Sequence, residues 1–300
     1  MLSLTLLCLS LAPGALWACA CGCGIFDVGT SGSLPLQPGG FAYFEFDYLN
    51  QNQNRTATHK APAENNNDKQ VRTGFFTAGV QYMIDRRWGF MAELPYWDRY
   101  FKTTDGNGNE GGFTHGGVGD IRLRGVYSGF SSDMSTGLTF GLKLPTGDIA
   151  MRDLDRDTQI GTGSTDLLLG LYHMGRIVGL QSWNWFGSAQ LDRPLLTAGG
   201  YRPGSEADAV LGVYYEEWKV GRARVAPIAS VVGSLRGRDG GTLGRSPDTG
   251  YTRVVVAPGL EVGFPKVRVY GDVGFPVYQF VNGNQLLAAH YFKLRVGYAF

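Results

Sequence analysis

The run from Leu287 to Phe300 constrains the fold more than any other stretch of the chain. Ala288, His290, Phe292, Leu294, Val296, Tyr298 and Phe300 share one parity; Ala289, Tyr291, Lys293, Arg295, Gly297 and Ala299 share the other. Alternation of period two over such a length describes a strand whose faces meet different surroundings. One face is apolar and aromatic, and the other carries two cations. A helical period would scatter both sets around the axis.

Similar alternation recurs at 41–49, 73–84, 88–96, 118–127, 136–144, 165–174, 180–192, 206–218, 252–264 and 267–278, and less regularly at 223–235. With the terminal run these make about twelve strands, each near the ~9–11 residues a tilted strand needs to cross a bilayer. Connections alternate long and short from the first hairpin to the last. Asn50–Gln70, Asp98–Gly117, Pro145–Ser164 and Arg236–Gly250 are long and polar, whereas Asp85-Arg86-Arg87 and Pro265-Lys266 are tight. The first long loop nearly lacks apolar residues and is expected to be mobile. This rhythm predicts an all-β, membrane-spanning, antiparallel up-and-down barrel with periplasmic termini, short periplasmic turns and long external loops. Phe292, Leu294, Val296, Tyr298 and Phe300 resemble the terminal assembly signal of bacterial outer-membrane β-barrels. That resemblance implies residence in the outer membrane of a Gram-negative cell, with lipid and the barrel assembly machinery as partners.

The start of the chain agrees. Leu2 to Leu11 is apolar and small residues follow, which reads as a secretory signal over 1–20, although no Lys or Arg precedes the apolar run. A periplasmic segment is expected at 21–39 and the barrel at 40–300. Composition points the same way: 45 Gly, 13% aromatic and only 18% charged residues, with a net charge of +1. Such a balance offers no broad basic surface for nucleic acid.

Charges within the strands test the reading physically, because a charge at the bilayer midplane of a barrel's lipid face costs about 2–4 kcal/mol. They fall on the opposite parity to the aromatic residues. The acids are Glu45, Asp47, Glu93, Asp120, Asp166, Asp208, Glu261 and Asp272; the bases are Arg122, Arg124, Lys143, Arg253, Arg268, Lys293 and Arg295. All are expected to line the lumen, where they either border a narrow wet pore or pair across it and plug it. Closure must join the last strand to the first, bringing Lys293 and Arg295 beside Glu45 and Asp47.

Leu94-Pro95-Tyr96, Gly117-Val118-Gly119-Asp120, Gly141-Leu142-Lys143-Leu144-Pro145-Thr146-Gly147-Asp148 and Gly161-Thr162-Gly163-Ser164 with Asp166 stand in that order. The set resembles the outer-membrane transporters of the meta-pathway phenol-degradation family, firmly from about Leu94 to Tyr172. The resemblance implies a porin-like channel that takes up small, often aromatic or hydrophobic, molecules. It supplies no catalytic residues and does not fix the substrate.

The third long loop differs from the other connections. Ile149, Met151, Leu154 and Ile160 are interleaved with Asp148, Arg152, Asp153, Asp155, Arg156 and Asp157. Apolar residues in an exposed loop need something to pack on, and the barrel mouth is nearest. Asp148, Met151, Arg152, Leu154 and Arg156 are therefore predicted to form a constriction.

Cys19, Cys21 and Cys23 stand outside this scheme. Alternate thiols suit a soft metal, Cu(I) or Zn, though one short cluster is too few for a closed zinc site. Leu16-Trp17-Ala18-Cys19 loosely resembles a lipobox, which makes Cys19 a lipidation candidate. A periplasmic disulfide is the third reading. No other cofactor is expected.

An enzyme is not expected either, because no histidine stands in a motif with a nucleophile and an orienting group. The expected function is a channel for small solutes through a charged, loop-constricted lumen. The alternatives are a plugged structural or adhesive barrel and a metal- or redox-linked barrel.

Overall fold

The computed structural model describes residues 37–104, 107–152, 154–216, 218–244 and 246–300; the signal segment, Cys19, Cys21 and Cys23 lie outside these described residues. Fourteen strands follow in order. The first seven are β1 (Gly39–Ala57), β2 (His59–Lys60), β3 (Asp68–Met83), β4 (Trp88–Thr104), β5 (Glu110–Val118), β6 (Ile121–Tyr127) and β7 (Thr136–Leu144). The rest are β8 (Ser164–Arg176), β9 (Trp183–Thr197), β10 (Glu206–Tyr215), β11 (Trp218–Val220), β12 (Ala223–Arg236), β13 (Tyr251–Gly263) and β14 (Val267–Ala299).

Every pairing is antiparallel, and neighbours in sequence are neighbours in space. The wall runs β1, β3, β4, β6, β7, β8, β9, β10, β12, β13, β14 and back to β1, so it closes and leaves no edge in lipid. β2, β5 and β11 are extra strands added to β1, β4 and β12. β14 spans 33 residues, an extended reach of about 110 Å, far more than one crossing. It is a hairpin. The Ala299 N–H donates to the Lys266 carbonyl at 2.7 Å, and Gly283 turns the chain at φ +57°. Eleven wall elements with one doubled give twelve passes.

Pairing of β1 with β14 sets Glu45 opposite Arg295 and Asp47 opposite Lys293, as closure requires. At the periplasmic rim Gly40 and Phe300 exchange two backbone hydrogen bonds of 2.9 Å. Alternation along β1 is steep: Phe44 is 52% exposed and Glu45 is 5% exposed. Around the wall the outward set includes Leu94, Leu142, Leu171, Leu211, Val256 and Leu294. Aromatic clusters such as Trp88–Tyr127–Phe130 and Trp183–Tyr215–Trp218 sit where strands turn at that rim. An apolar belt of this extent around a closed wall, edged by aromatic residues, is the surface of a barrel in a bilayer.

Two sequence expectations are corrected. Asn50–Gln70 and Asp98–Gly117 are not mainly loops: β1 continues to Ala57, β3 begins at Asp68, and β4 pairs with β5 up to Thr104 and Glu110. Beyond the lipid both faces of a strand are wet, so polar residues on both parities are compatible with a hairpin there. The long–short rhythm also fails at the last external connection, where 282–284 turns tightly between the two legs of β14.

Candidate functional site

The interior divides into a polar half and an apolar half. On the polar side Lys293 Nζ lies 2.9 Å from Glu45 Oε1 and 3.2 Å from Asp47 Oδ1, and Arg295 Nη2 lies 2.5 Å from Glu45 Oε2. The Arg295 guanidinium stacks 4.5 Å from the Tyr43 ring centre, and the Tyr43 hydroxyl donates to Glu93. Glu93 holds Arg124 at 2.6 Å, and Arg124 Nη2 donates to Gln190 on β9 at 3.2 Å. This chain of contacts leaves the β1 side of the wall and reaches β9 across the lumen. One cation on β7, Lys143, sits between Asp166 and Asp192, 3.4 Å from the latter. Such pairs need one another, because breaking a buried ion pair strands a charge at a cost of about 3–5 kcal/mol.

Arg253 is buried as well, with Nη1 donating to the Tyr291 hydroxyl at 2.9 Å and its guanidinium 3.9 Å from the Tyr251 ring centre. Glu261, Arg268 and Asp272 sit half-buried on β13 and β14, and Asp272 accepts from the Tyr270 hydroxyl at 2.6 Å. Asp120 differs from the rest. It occupies the break between β5 and β6, where Oδ1 accepts the Gly147 N–H at 3.0 Å. Its Oδ2 accepts both the N–H and the hydroxyl of Thr162, at 2.9 and 2.5 Å.

The apolar half was not foreseen. Leu49, Phe75, Met174, Phe186, Val210, Ile228, Val232, Val255, Tyr270 and Tyr291 form one buried cluster, with Trp97 and Tyr214 packed against it. Their signal was present as large apolar residues on the inward parity, such as Phe75 beside outward Phe76 and Val255 between outward Val254 and Val256.

Residues 145–152 and 154–163 fold over the mouth from the β7–β8 side to the opposite wall. Leu154 packs on Val71, Phe101 and Leu286 of β3, β4 and β14. The Thr158 carbonyl accepts from Arg99, a β4 residue only 1% exposed. Gln159 ties the loop to itself through the Met151 and Leu154 carbonyls at 3.0 and 2.8 Å. Arg156 donates to the Thr162 carbonyl at 2.7 Å and stacks 4.7 Å from the Tyr201 ring centre; burial pushes its guanidinium down from its ordinary pKa. The segment at 147 and 161 allows no side chain, since a Cβ on Gly161 would meet the Gly147 oxygen at 2.1 Å. Of the residues expected to narrow the mouth, Met151, Leu154 and Arg156 are half-buried, whereas Asp148 and Arg152 are exposed. The deeply buried part is Thr158, Gln159 and Ile160.

Between this roof and the Glu45–Asp47 floor lies a cavity of about 130 Å³. Phe75, Pro95 and Trp97 supply an apolar wall; seven carboxylates and four cations supply the polar one, and Lys293 and Arg295 pair with Glu45 and Asp47 from outside that lining. Of the histidines, His59 lies on β2 and His115 on β5 rather than in loops, while His173 bonds Thr136 at 2.7 Å and His290 meets Phe292 edge to face.

A closed antiparallel wall with a lipid-compatible exterior, a charged interior and a roofed mouth defines the outer-membrane β-barrel fold. Comparison with solved structures gives the same class. An outer membrane channel of Pseudomonas putida F1 superposes with a TM-score of 0.65 at 13% identity, covering 91% of this chain and 100% of that one. The beta domain of the Bordetella autotransporter BrkA follows with a TM-score of 0.52 at 13% identity, covering 88% and 100%. No protein-family model and no curated protein sequence matches the chain.

Proposed function

We propose that the protein is a non-enzymatic outer-membrane channel for small hydrophobic or aromatic solutes. Solutes would enter beneath the 145–163 loop and diffuse along the apolar half of the lumen. The observation that carries this reading is the roofed cavity, whose Phe75 and Trp97 wall is continuous with the buried apolar cluster. A cavity of about 150 Å³ with apolar walls accepts benzene, so 130 Å³ suits a single ring. The resemblance to meta-pathway phenol-degradation transporters supports aromatic cargo. The loop is the constriction in this reading, and the ion-paired wall keeps bulk water from the apolar track.

A second reading, a plugged structural barrel, is favoured by the contacts that cross the lumen from Tyr43 through Glu93 and Arg124 to Gln190. Planar-bilayer conductance and uptake of monoaromatics into liposomes separate the two. Replacing residues 150–159 by a short Gly/Ser linker should raise conductance and relax solute selectivity. An inert wild type with an inert loop variant would overturn the channel reading.

Two further roles belong to this proposal. The barrel assembly machinery reads the strand ending in Phe300; for Cys19, Cys21 and Cys23 a periplasmic disulfide, lipidation of Cys19 and a soft metal stay as alternatives, and stoichiometric, thiol-dependent metal in purified protein would select the last.

A further inference from the structure

Lys143 is one ammonium between two carboxylates, Asp166 and Asp192. Asp166 is 1% exposed, and its Oδ1 has no hydrogen-bond donor; Asp192 Oδ1 is likewise buried and without one. Both residues line the roofed cavity, together with Phe75 and Trp97. A buried carboxylate oxygen without a donor is costly, and here two of them belong to side chains in the wall of one cavity, sharing a single ammonium.

We infer that the cavity is a binding site for a small organic cation, a protonated primary or secondary amine with an aromatic or hydrocarbon body. The ammonium donates its N–H groups to Asp166 and Asp192, and the body lies against Phe75 and Trp97, in line with the apolar cluster below. Around the cavity carboxylates still outnumber cations once Lys293 and Arg295 are counted with Glu45 and Asp47, which favours a positive guest over a neutral or negative one. A bare metal ion fits less well. Among the described residues no group of three or more His, Cys, Asp or Glu is placed to hold one. An amine instead brings its own donors and needs only acceptors, and charge-assisted hydrogen bonds of this kind are the strong ones. The inference rests on the channel reading for its biological use, and names the solute class that the same lumen prefers.

The test is calorimetric titration of the full refolded protein in detergent with three ring-matched probes at neutral pH: benzylammonium, benzyl alcohol and benzoate. Benzylammonium should bind at least about tenfold tighter than benzyl alcohol, and benzoate weakest. Asp166→Asn and Asp192→Asn should each remove most of the preference for benzylammonium over benzyl alcohol. Equal binding of the ammonium and the alcohol, or a preference that survives both substitutions, would overturn the inference. Heat-modifiable mobility reports folding of each variant. If Asp166→Asn does not fold, the wild-type series and Asp192→Asn still decide. Conductance recorded in parallel separates the two readings. A barrel that binds benzylammonium but never conducts overturns the channel and keeps the site; a conducting barrel with no amine preference does the reverse.

Discussion

Asp120→Ala tests whether the mouth loop is held down by the strand break beneath it. The carboxylate accepts three hydrogen bonds from the loop, two from Thr162 and one from Gly147. At about 0.5 kcal/mol net apiece, the low end for bonds that water at the mouth can replace, the substitution should cost the docked state about 1.5 kcal/mol. That is close to a tenfold shift toward the open loop, since about 1.4 kcal/mol is a factor of ten. The barrel itself should be untouched, because Asp120 lies outside the paired strands. Single-channel recording should show open-state occupancy rising about tenfold at unchanged heat-modifiability, and limited proteolysis within 148–160 should accelerate by a similar factor. Asp120→Asn retains a carbonyl acceptor and should fall between. If occupancy and cleavage rate both stay at the wild-type level, this carboxylate is not the latch, and the anchor is the buried Arg99–Thr158 contact.

Deleting Phe300 removes both backbone hydrogen bonds with Gly40 and should lower the yield of heat-modifiable, membrane-inserted protein; normal insertion of the truncated chain would refute the assembly role. Arg295→Glu sets a second carboxylate beside Glu45 and should destabilise the barrel by about 3–5 kcal/mol, read as a lowered midpoint of heat-modifiability. In the fraction that inserts, ion selectivity should shift toward cations, and unchanged selectivity would place this wall outside the permeation path.

Much of the wall was legible because lipid is an unforgiving solvent. A charge facing it is penalised heavily, so the parity of Glu45, Lys143 and Arg295 could be assigned without knowing any contact. The lumen has no comparable rule. Phe75, Phe186 and Ile228 look in sequence like residues that face lipid, and only their parity distinguishes them. The external hairpins were obscured because residues such as Gln51, Asn54 and Thr103 are polar on either face, although the backbone ladder continues through them. For the mouth loop, the apolar content showed that it must pack on something. Which residues go inward depends on Arg99 and Asp120, far away in sequence, so Thr158–Ile160 could not be told from Asp148 and Arg152.

The seam between β1 and β14 also bears on the order of events in assembly. Its two partners come from opposite ends of the barrel sequence, so among the wall's joints it closes the longest stretch of chain and carries the largest loop-closure cost. A slip of one residue there would turn Lys293 and Arg295 out of the lumen and into lipid, at about 2–4 kcal/mol each near the midplane. The same slip would separate them from Glu45 and Asp47. The closing seam is thus one that strongly penalises misregistration, and a wrongly closed barrel would reopen in preference to persisting.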